Sequence, residues 1–350
     1  MIGFALEGGG AKGAYQAGSY MALIKNRIKP SIIAGTSIGA LNAALMAQGD
    51  IKKLEYLWLN TTTDIFGINS DLVGKILSKK IDLKDLELTY ENIKDIIKNK
   101  GIDTSKFLKI IKDNIDEDKL RKSKIKFALI TIKLDGAFKP LELTIDQIPK
   151  GKVAEYILAS CYLPIFKKKP IIDNNYYIDG GFYNNIPISI LQDYGCDKIY
   201  SIRIKGIGFS RNKIKPSTKV IEIKPRKSLG QTIIFNKDSN RQNLYLGYYD
   251  TLKVIKNLDG FDYYFKGKCY KYYYNIIKNI DSNLIKKLKL RFRTNNTKDL
   301  VIKIVEYLLN KNDINKYDVY NIKLLLYKMK KKYLIKDKDL NNFIKGCKLI

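Results

Sequence analysis

The chain opens on a short apolar run, Ile2 to Leu6, that ends in Gly8-Gly9-Gly10. An apolar run closed by glycines predicts a buried strand entering a tight turn. From Ala14 to Lys25 the apolar positions, Tyr15, Ala22 and Leu23 among them, recur at helical spacing. Ser31 to Ala34 predicts a second short strand, and Ile38 to Ala47, rich in Ala, Leu and Met, a second helix. Strand, turn and helix given twice within 47 residues argue for an α/β sheet with parallel strands. Residues from about 50 to 120 are mostly helical in pattern and polar, and are expected to form an inserted cap over the sheet. Strand-like runs return at Ile125–Leu134, Leu141–Ile145, Ile171–Ile178, Ile199–Ile204 and Val220–Ile223, and a helix is expected near Arg241–Lys256.

Beyond about residue 270 the pattern changes. Leu284–Leu290, Leu300–Leu309 and Val319–Met329 mix apolar and lysine positions at helical spacing, which predicts a basic helical appendage. We expect a catalytic domain over 1–257 and a mainly helical region over 258–350. No run approaches about 18 uninterrupted apolar residues, so no transmembrane helix is expected. The start, Met1-Ile2-Gly3-Phe4-Ala5-Leu6-Glu7, lacks the basic and long apolar regions of a signal peptide. Cys161, Cys196, Cys269 and Cys347 are widely spaced without a CxxC pair, as expected of reduced thiols in a cytoplasmic protein, neither a disulfide frame nor a metal site.

Composition adds one strong feature, a formal net charge of +29. Residues 1–200 hold 29 basic and 23 acidic side chains, whereas residues 201–350 hold 35 and 12. Such a surface attracts polyanions, either nucleic acid or an anionic membrane. Abundant Lys, Ile, Asn and Tyr with scarce Arg also fit an AT-rich coding sequence, so part of the charge is compositional. No helix-turn-helix, RRM or zinc pattern accompanies it, and nucleic acid is not the expected partner.

Three motifs carry chemistry. Gly35-Thr36-Ser37-Ile38-Gly39 is a G-x-S-x-G between an apolar strand and a helix. In a nucleophile elbow this turn lifts the serine hydroxyl out of the sheet at a helix N-terminus, where the dipole favours a developing anion. The plain alternative is a tight turn with Ser37 as helix N-cap. Gly8-Gly9-Gly10-Ala11-Lys12-Gly13 presents consecutive backbone N–H groups to an anion, either a dinucleotide pyrophosphate or the oxyanion of an acyl intermediate. A dinucleotide site calls for an acid at the end of the second strand. That strand ends Ala34-Gly35-Thr36-Ser37, with none. Asp179-Gly180-Gly181 closes a strand-like run, where an aspartate is most often a turn residue. The chain contains no histidine, so a Ser-His-Asp triad is impossible. A nucleophilic Ser37 then needs another base, and a carboxylate such as Asp179 and an amine such as Lys12 both qualify chemically.

Taken together, in this order and spacing, the three motifs resemble the patatin-like phospholipase family. Ala34 and Ala40 flanking the serine motif, Ala159-Ser160, Pro164 and Phe166 before the aspartate, Asn185 and Pro187 after it, and Gly247-Tyr248-Tyr249-Asp250 agree with that pattern. The resemblance covers residues 2 to about 257. It implies a three-layer α/β/α fold with a mostly parallel central sheet, carrying here a basic helical C-terminal extension. It implies Ser37 as nucleophile, Asp179 as base of a Ser–Asp dyad, and the amides of Gly9 and Gly10, with Ala11, as oxyanion hole. Lys12 would support the glycine loop or face anionic head groups. The activity implied is hydrolysis of acyl esters of phospholipids or other glycerolipids, without a cofactor or metal, peripheral at a membrane. An acyltransferase or thioesterase using the same acyl-enzyme is the nearest alternative, since the motifs define the intermediate and not its acceptor. Head group, acyl position and oligomeric state are not specified by sequence.

Overall fold

A computed structural model of the chain describes residues 1–66, 101–332 and 335–349. The central part of the expected insertion, 67–100, lies outside the described residues. The chain divides into two compact units, Met1–Asp250 and Thr251–Ile350.

The first unit is built on one sheet in the order β4-β3-β2-β1-β6-β7, with β5 also paired to β3. Strands β1 (Ile2–Leu6), β2 (Ile32–Thr36), β3 (Lys126–Leu134), β6 (Lys198–Ile202) and β7 (Lys219–Ile223) run parallel. Strands β4 (Phe138–Thr144) and β5 (Tyr176–Asp179) are antiparallel to β3. β1 and β2 are apolar along nearly their whole length because both faces are covered, as parallel strands require. On one face Ala5, Ala34 and Ala128 pack against Ile186, Ile188 and Leu191 around helix Ile188–Asp193. On the other, Phe4 meets Tyr20 of helix α1 (Ala14–Lys25) edge to face. The result is the expected three layers with a mostly parallel centre. Helices α2 (Ile38–Ala47) and α3 (Ile51–Asn60) follow β2. The expected insertion also contributes helices Ser105–Asn114 and Glu117–Lys122.

Two expected strands shift. Of Ile171–Ile178, only Tyr176–Ile178 enters the sheet, in a strand that runs on to Asp179, because Asp173 and Asn174 take positive φ and turn the preceding residues. β4 begins at Phe138, ahead of Pro140, which an edge strand tolerates.

The second unit packs helices Tyr270–Ile277, Ser282–Arg291, Thr297–Lys311, Ile322–Lys332 and Lys338–Gly346 around buried Tyr273, Leu300, Val305 and Phe343. Buried Glu306 accepts from the amides of Phe261, Asp262 and Tyr263, holding the turn before β8 (Tyr264–Phe265). The helix expected over Val319–Met329 starts only at Ile322, since Val319 and Tyr320 form β9 against β8. Among the described residues no helix is long and apolar enough to cross a membrane.

Candidate functional site

β3 is nine residues long and lends one edge to two partners in turn. Its first half pairs with β2, as far as Thr36 opposite Ile130. Its second half pairs with β5, beginning with Asp179 opposite Thr131. β2 and β5 therefore occupy one lane of the sheet, run toward each other, and stop at adjacent positions. Ser37 follows the end of β2, and Asp179 ends β5.

The turn at Ser37 requires its glycines. A Cβ on Gly35 would run into the Gly39 carbonyl, and one on Gly39 would stand 2.5 Å from the Leu6 carbonyl oxygen. Ser37 itself takes φ 56°, uncommon for a residue with a side chain and a local strain of about 1–3 kcal/mol. It occupies the N-cap position of α2, yet its side chain makes no capping bond. The hydroxyl instead lies near the Asp179 carboxylate, close enough to lower its pKa. Thr36 Oγ1 donates to the Asn184 carbonyl at 2.9 Å, and Ile38 is buried behind the turn.

Asp179 is 4% exposed. Burial pushes its pKa from 3.8 up to about 6, opposed by the nearby Ser37 hydroxyl and by the hydrogen bond from the Gly181 amide. The Gly181 N–H donates to Asp179 Oδ1 at 2.7 Å, so the residue does serve its turn as well. Gly180 lies where a Cβ would meet the Ile130 carbonyl, and Gly181 abuts Asn185.

The glycine loop lies against Ser37. A Cβ on Gly8 would stand 3.1 Å from that of Ser37. Gly8 N–H donates to the Asn185 carbonyl, and Asn185 Nδ2 donates to that of Gly8. Ala11 N–H is spent on the Thr232 carbonyl at 2.7 Å and Lys12 N–H on that of Gly9 at 3.4 Å. Among the described residues, the amides of Gly9 and Gly10 have no hydrogen-bond acceptor. Gly10 has φ 57° and Gly13 faces the Trp58 ring, with no room for a Cβ at either. Lys12 Nζ donates to the Lys205 carbonyl at 2.9 Å. Burial lowers its pKa against the pull of Glu7. Lys12 thus ties two loops together and is not directed to Ser37.

Four contributors lie outside the three motifs. Ser160 Oγ, fully buried, accepts from the Ser37 amide at 2.9 Å and donates to the Ile130 carbonyl at 2.6 Å. The Cys161 thiol lies near Ser37, and burial, with the nearby Asp179 charge, raises its pKa well above the ordinary value. The Tyr162 carbonyl accepts from the Asp179 amide at 2.9 Å. Ser160 and Tyr162, at the end of helix Val153–Ser160 and just beyond it, therefore hold the backbone of Ser37 and of Asp179. Glu7, buried, accepts from Arg203 Nε at 2.9 Å and from the Ile204 amide at 2.6 Å. Behind the glycine loop, Trp58 donates to Asn42, Asn42 to Gln16, and Gln16 to the Glu7 carbonyl. Among the described residues no group of three or more Cys, Asp or Glu side chains is placed to hold a metal ion.

The chain has counterparts among known proteins. The sequence model of patatin-like phospholipases matches residues 4–191. A patatin-like phospholipase domain-containing protein of Caenorhabditis elegans is 26% identical over 214 residues, 58% of this chain and 17% of that protein. Lysophospholipase nte1 of Aspergillus terreus is 26% identical over 210 residues, 59% of this chain and 12% of that one. The match thus spans less than a fifth of either relative's length. The crystal structure of VipD from Legionella pneumophila aligns with a TM-score of 0.42 at 14% identity, over 99% of this chain and 85% of that one.

Proposed function

The chain belongs to the patatin-like phospholipase family, and from that premise we propose that it is a phospholipase A-type lipid acyl hydrolase using a Ser37–Asp179 dyad. The observation that carries this is the placement of Ser37 and the buried Asp179 carboxylate beside each other, at the facing ends of β2 and β5, in a chain without histidine. With a pKa near 6, Asp179 is ionised at neutral pH and more basic than an ordinary carboxylate.

In the first step Ser37 Oγ attacks the acyl carbonyl carbon as its proton passes to Asp179. The carbonyl π electrons move onto oxygen, and the amides of Gly9 and Gly10 stabilise that oxyanion. One such donor is worth about 2.7–4 kcal/mol in a serine hydrolase. Collapse of the intermediate breaks the ester C–O bond, and Asp179 returns the proton to the departing lyso-lipid oxygen. Water, deprotonated by the same carboxylate, then attacks the acyl-enzyme and frees the fatty acid and Ser37. Lys12 acts as a strut for the loop. The substrate is a phospholipid or related glycerolipid, met peripherally at a membrane, and the basic second unit adds charge that favours anionic lipid.

The test is incubation of purified chain with mixed phospholipids and mass analysis of the products. Release of fatty acid with matching lyso-lipid is expected, and Ser37→Ala should reduce it to background. Equal release by Ser37→Ala would remove Ser37 from the chemistry. Acyl chains passed to another lipid, with no free fatty acid, would make the enzyme a transferase.

A further inference from the structure

The segment joining β6 to β7 is unusual in charge and exposure. From Arg203 to Lys219 it holds six basic residues and no acidic one. Arg203 is paired with Glu7, and Lys215 with Asp193. Lys205, Arg211 and Lys213 are exposed and have no acidic partner among the described residues. Between them Ile207 is 46% exposed and Phe209 52%.

The backbone beneath these side chains is firmly held. Glu7 accepts from the Ile204 amide, and Lys12 Nζ bonds the Lys205 carbonyl. Phe209 N–H donates to the Gly181 carbonyl at 2.9 Å, and its own carbonyl accepts from Asn185 N–H at 2.7 Å. Gly206 packs against the Gly8 carbonyl. The loop is thereby fastened to both the glycine loop and the segment that follows Asp179. Scattered exposed apolar residues are ordinary. Here Ile207 and Phe209, with Ile214 (48% exposed) further along, lie on a loop bonded to the walls of the candidate site and interleave in sequence with cations without acidic partners, which makes the loop surface both apolar and basic. That is the chemistry of an anionic lipid–water interface, where apolar side chains enter the acyl boundary and cations meet phosphates.

We propose that the β6–β7 loop docks the first unit on anionic lipid, with Ile207 and Phe209 inserted and Lys205, Arg211 and Lys213 at the head groups. The proposal rests on the lipid acyl hydrolase function for its biological sense, since it sets the Ser37–Asp179 mouth against the surface holding its substrate. Docking itself is measured without turnover.

The full-length chain is pelleted with phosphatidylcholine vesicles, with and without phosphatidylglycerol. We expect stronger pelleting with phosphatidylglycerol, reduced about tenfold by the pair Ile207→Ser and Phe209→Ser and unaffected by Tyr56→Ser, an exposed aromatic on α3. A thermal melt checks that the pair folds. Independently, the Phe209→Trp variant should shift its emission to the blue on vesicle addition and be quenched by brominated lipid, against the single buried native tryptophan, Trp58. Wild-type pelleting by the double variant, unquenched emission from the Phe209→Trp variant, or no vesicle binding by the native chain would each overturn the proposal. Vesicle binding through the loop without lipid hydrolysis would instead sink the proposed activity and leave the docking surface standing.

Discussion

Ser37 and Asp179 meet because β3 hands one edge from β2 to β5 between two consecutive residues, Ile130 and Thr131. Parallel β2 delivers Ser37 from one direction, and antiparallel β5 delivers Asp179 from the other. Their separation is therefore set by the pitch of a sheet and not by loop conformation, which is how a rigid scaffold holds two side chains beside each other.

The first consequence is a pH profile. In the proposed dyad Asp179 would accept the Ser37 proton only when ionised, and burial places its pKa near 6. Hydrolysis of a soluble short-chain ester should climb about tenfold per pH unit below 6 and level off above it. No histidine contributes to that limb, because the chain has none. A flat kcat/KM between pH 5 and 7 would show that Asp179 is not the titrating base.

Asp179→Asn separates function from stability. Folded Asp179 has a pKa raised from 3.8 to about 6, so the folded state binds its proton more tightly than the unfolded chain does. Its favourable contribution is present below pH 3.8 and lost as pH rises through 6; the ionised carboxylate at neutral pH costs at most about 3 kcal/mol. Asparagine keeps an oxygen for the Gly181 amide and carries no charge. The variant should lose about 10²–10⁴-fold in ester hydrolysis and melt at higher temperature than the native chain at pH 8, with the gap narrowing toward pH 4. Melting below the native chain at pH 8 would contradict the burial cost.

Much of this site was legible in the sequence. Gly35 and Gly39 mark the elbow because only a missing Cβ lets the turn pass beneath Leu6, and such steric demands are written in residue type. The missing histidine pointed to a carboxylate or amine, and what argues for Asp179 over Lys12 is the bond of Lys12 to Lys205, a partner 193 residues away. Ser160 was visible only as part of a family pattern, since a serine ending a helix gives no local sign that it will bind Ser37. Glu7 was silent for the same reason, its partners lying near residue 204. β5 was placed too early because Ile171 and Ile172 have strand-like side chains, while the turn at Asp173 and Asn174 decides where pairing begins. In the second unit, Val319 and Tyr320 follow a helical pattern but are captured by β8, a case of tertiary pairing overriding local spacing.

Ser160→Ala removes the acceptor of the Ser37 amide and the donor to Ile130 from a fully buried position. The Ser37 amide left unsatisfied should cost about 1–3 kcal/mol in stability. The strained φ of Ser37 should relax, so kcat for a soluble ester should fall about tenfold or more with little change in KM, and Ser160→Thr should recover part of it. A lowered melting temperature with kcat within twofold of native would restrict Ser160 to a purely structural role.

Gly10→Ala tests the glycine loop. Gly10 has φ 57°, and an added Cβ would collide with the Thr232 carbonyl, the group that also accepts from the Ala11 amide. Backbone on both sides of the clash leaves the loop no side chain to move, so its amides must shift. An oxyanion donor displaced by about 1 Å forfeits most of its stabilisation of the intermediate. Soluble-ester kcat should therefore drop about 10²-fold or more, while binding of the ground-state ester, which needs no oxyanion, changes little. Gly230→Ala, at a positive φ with nothing within 4 Å of the added Cβ, supplies the control for backbone strain alone. Equal losses in the two variants would show that strain, and not displaced donors, explains the effect at Gly10.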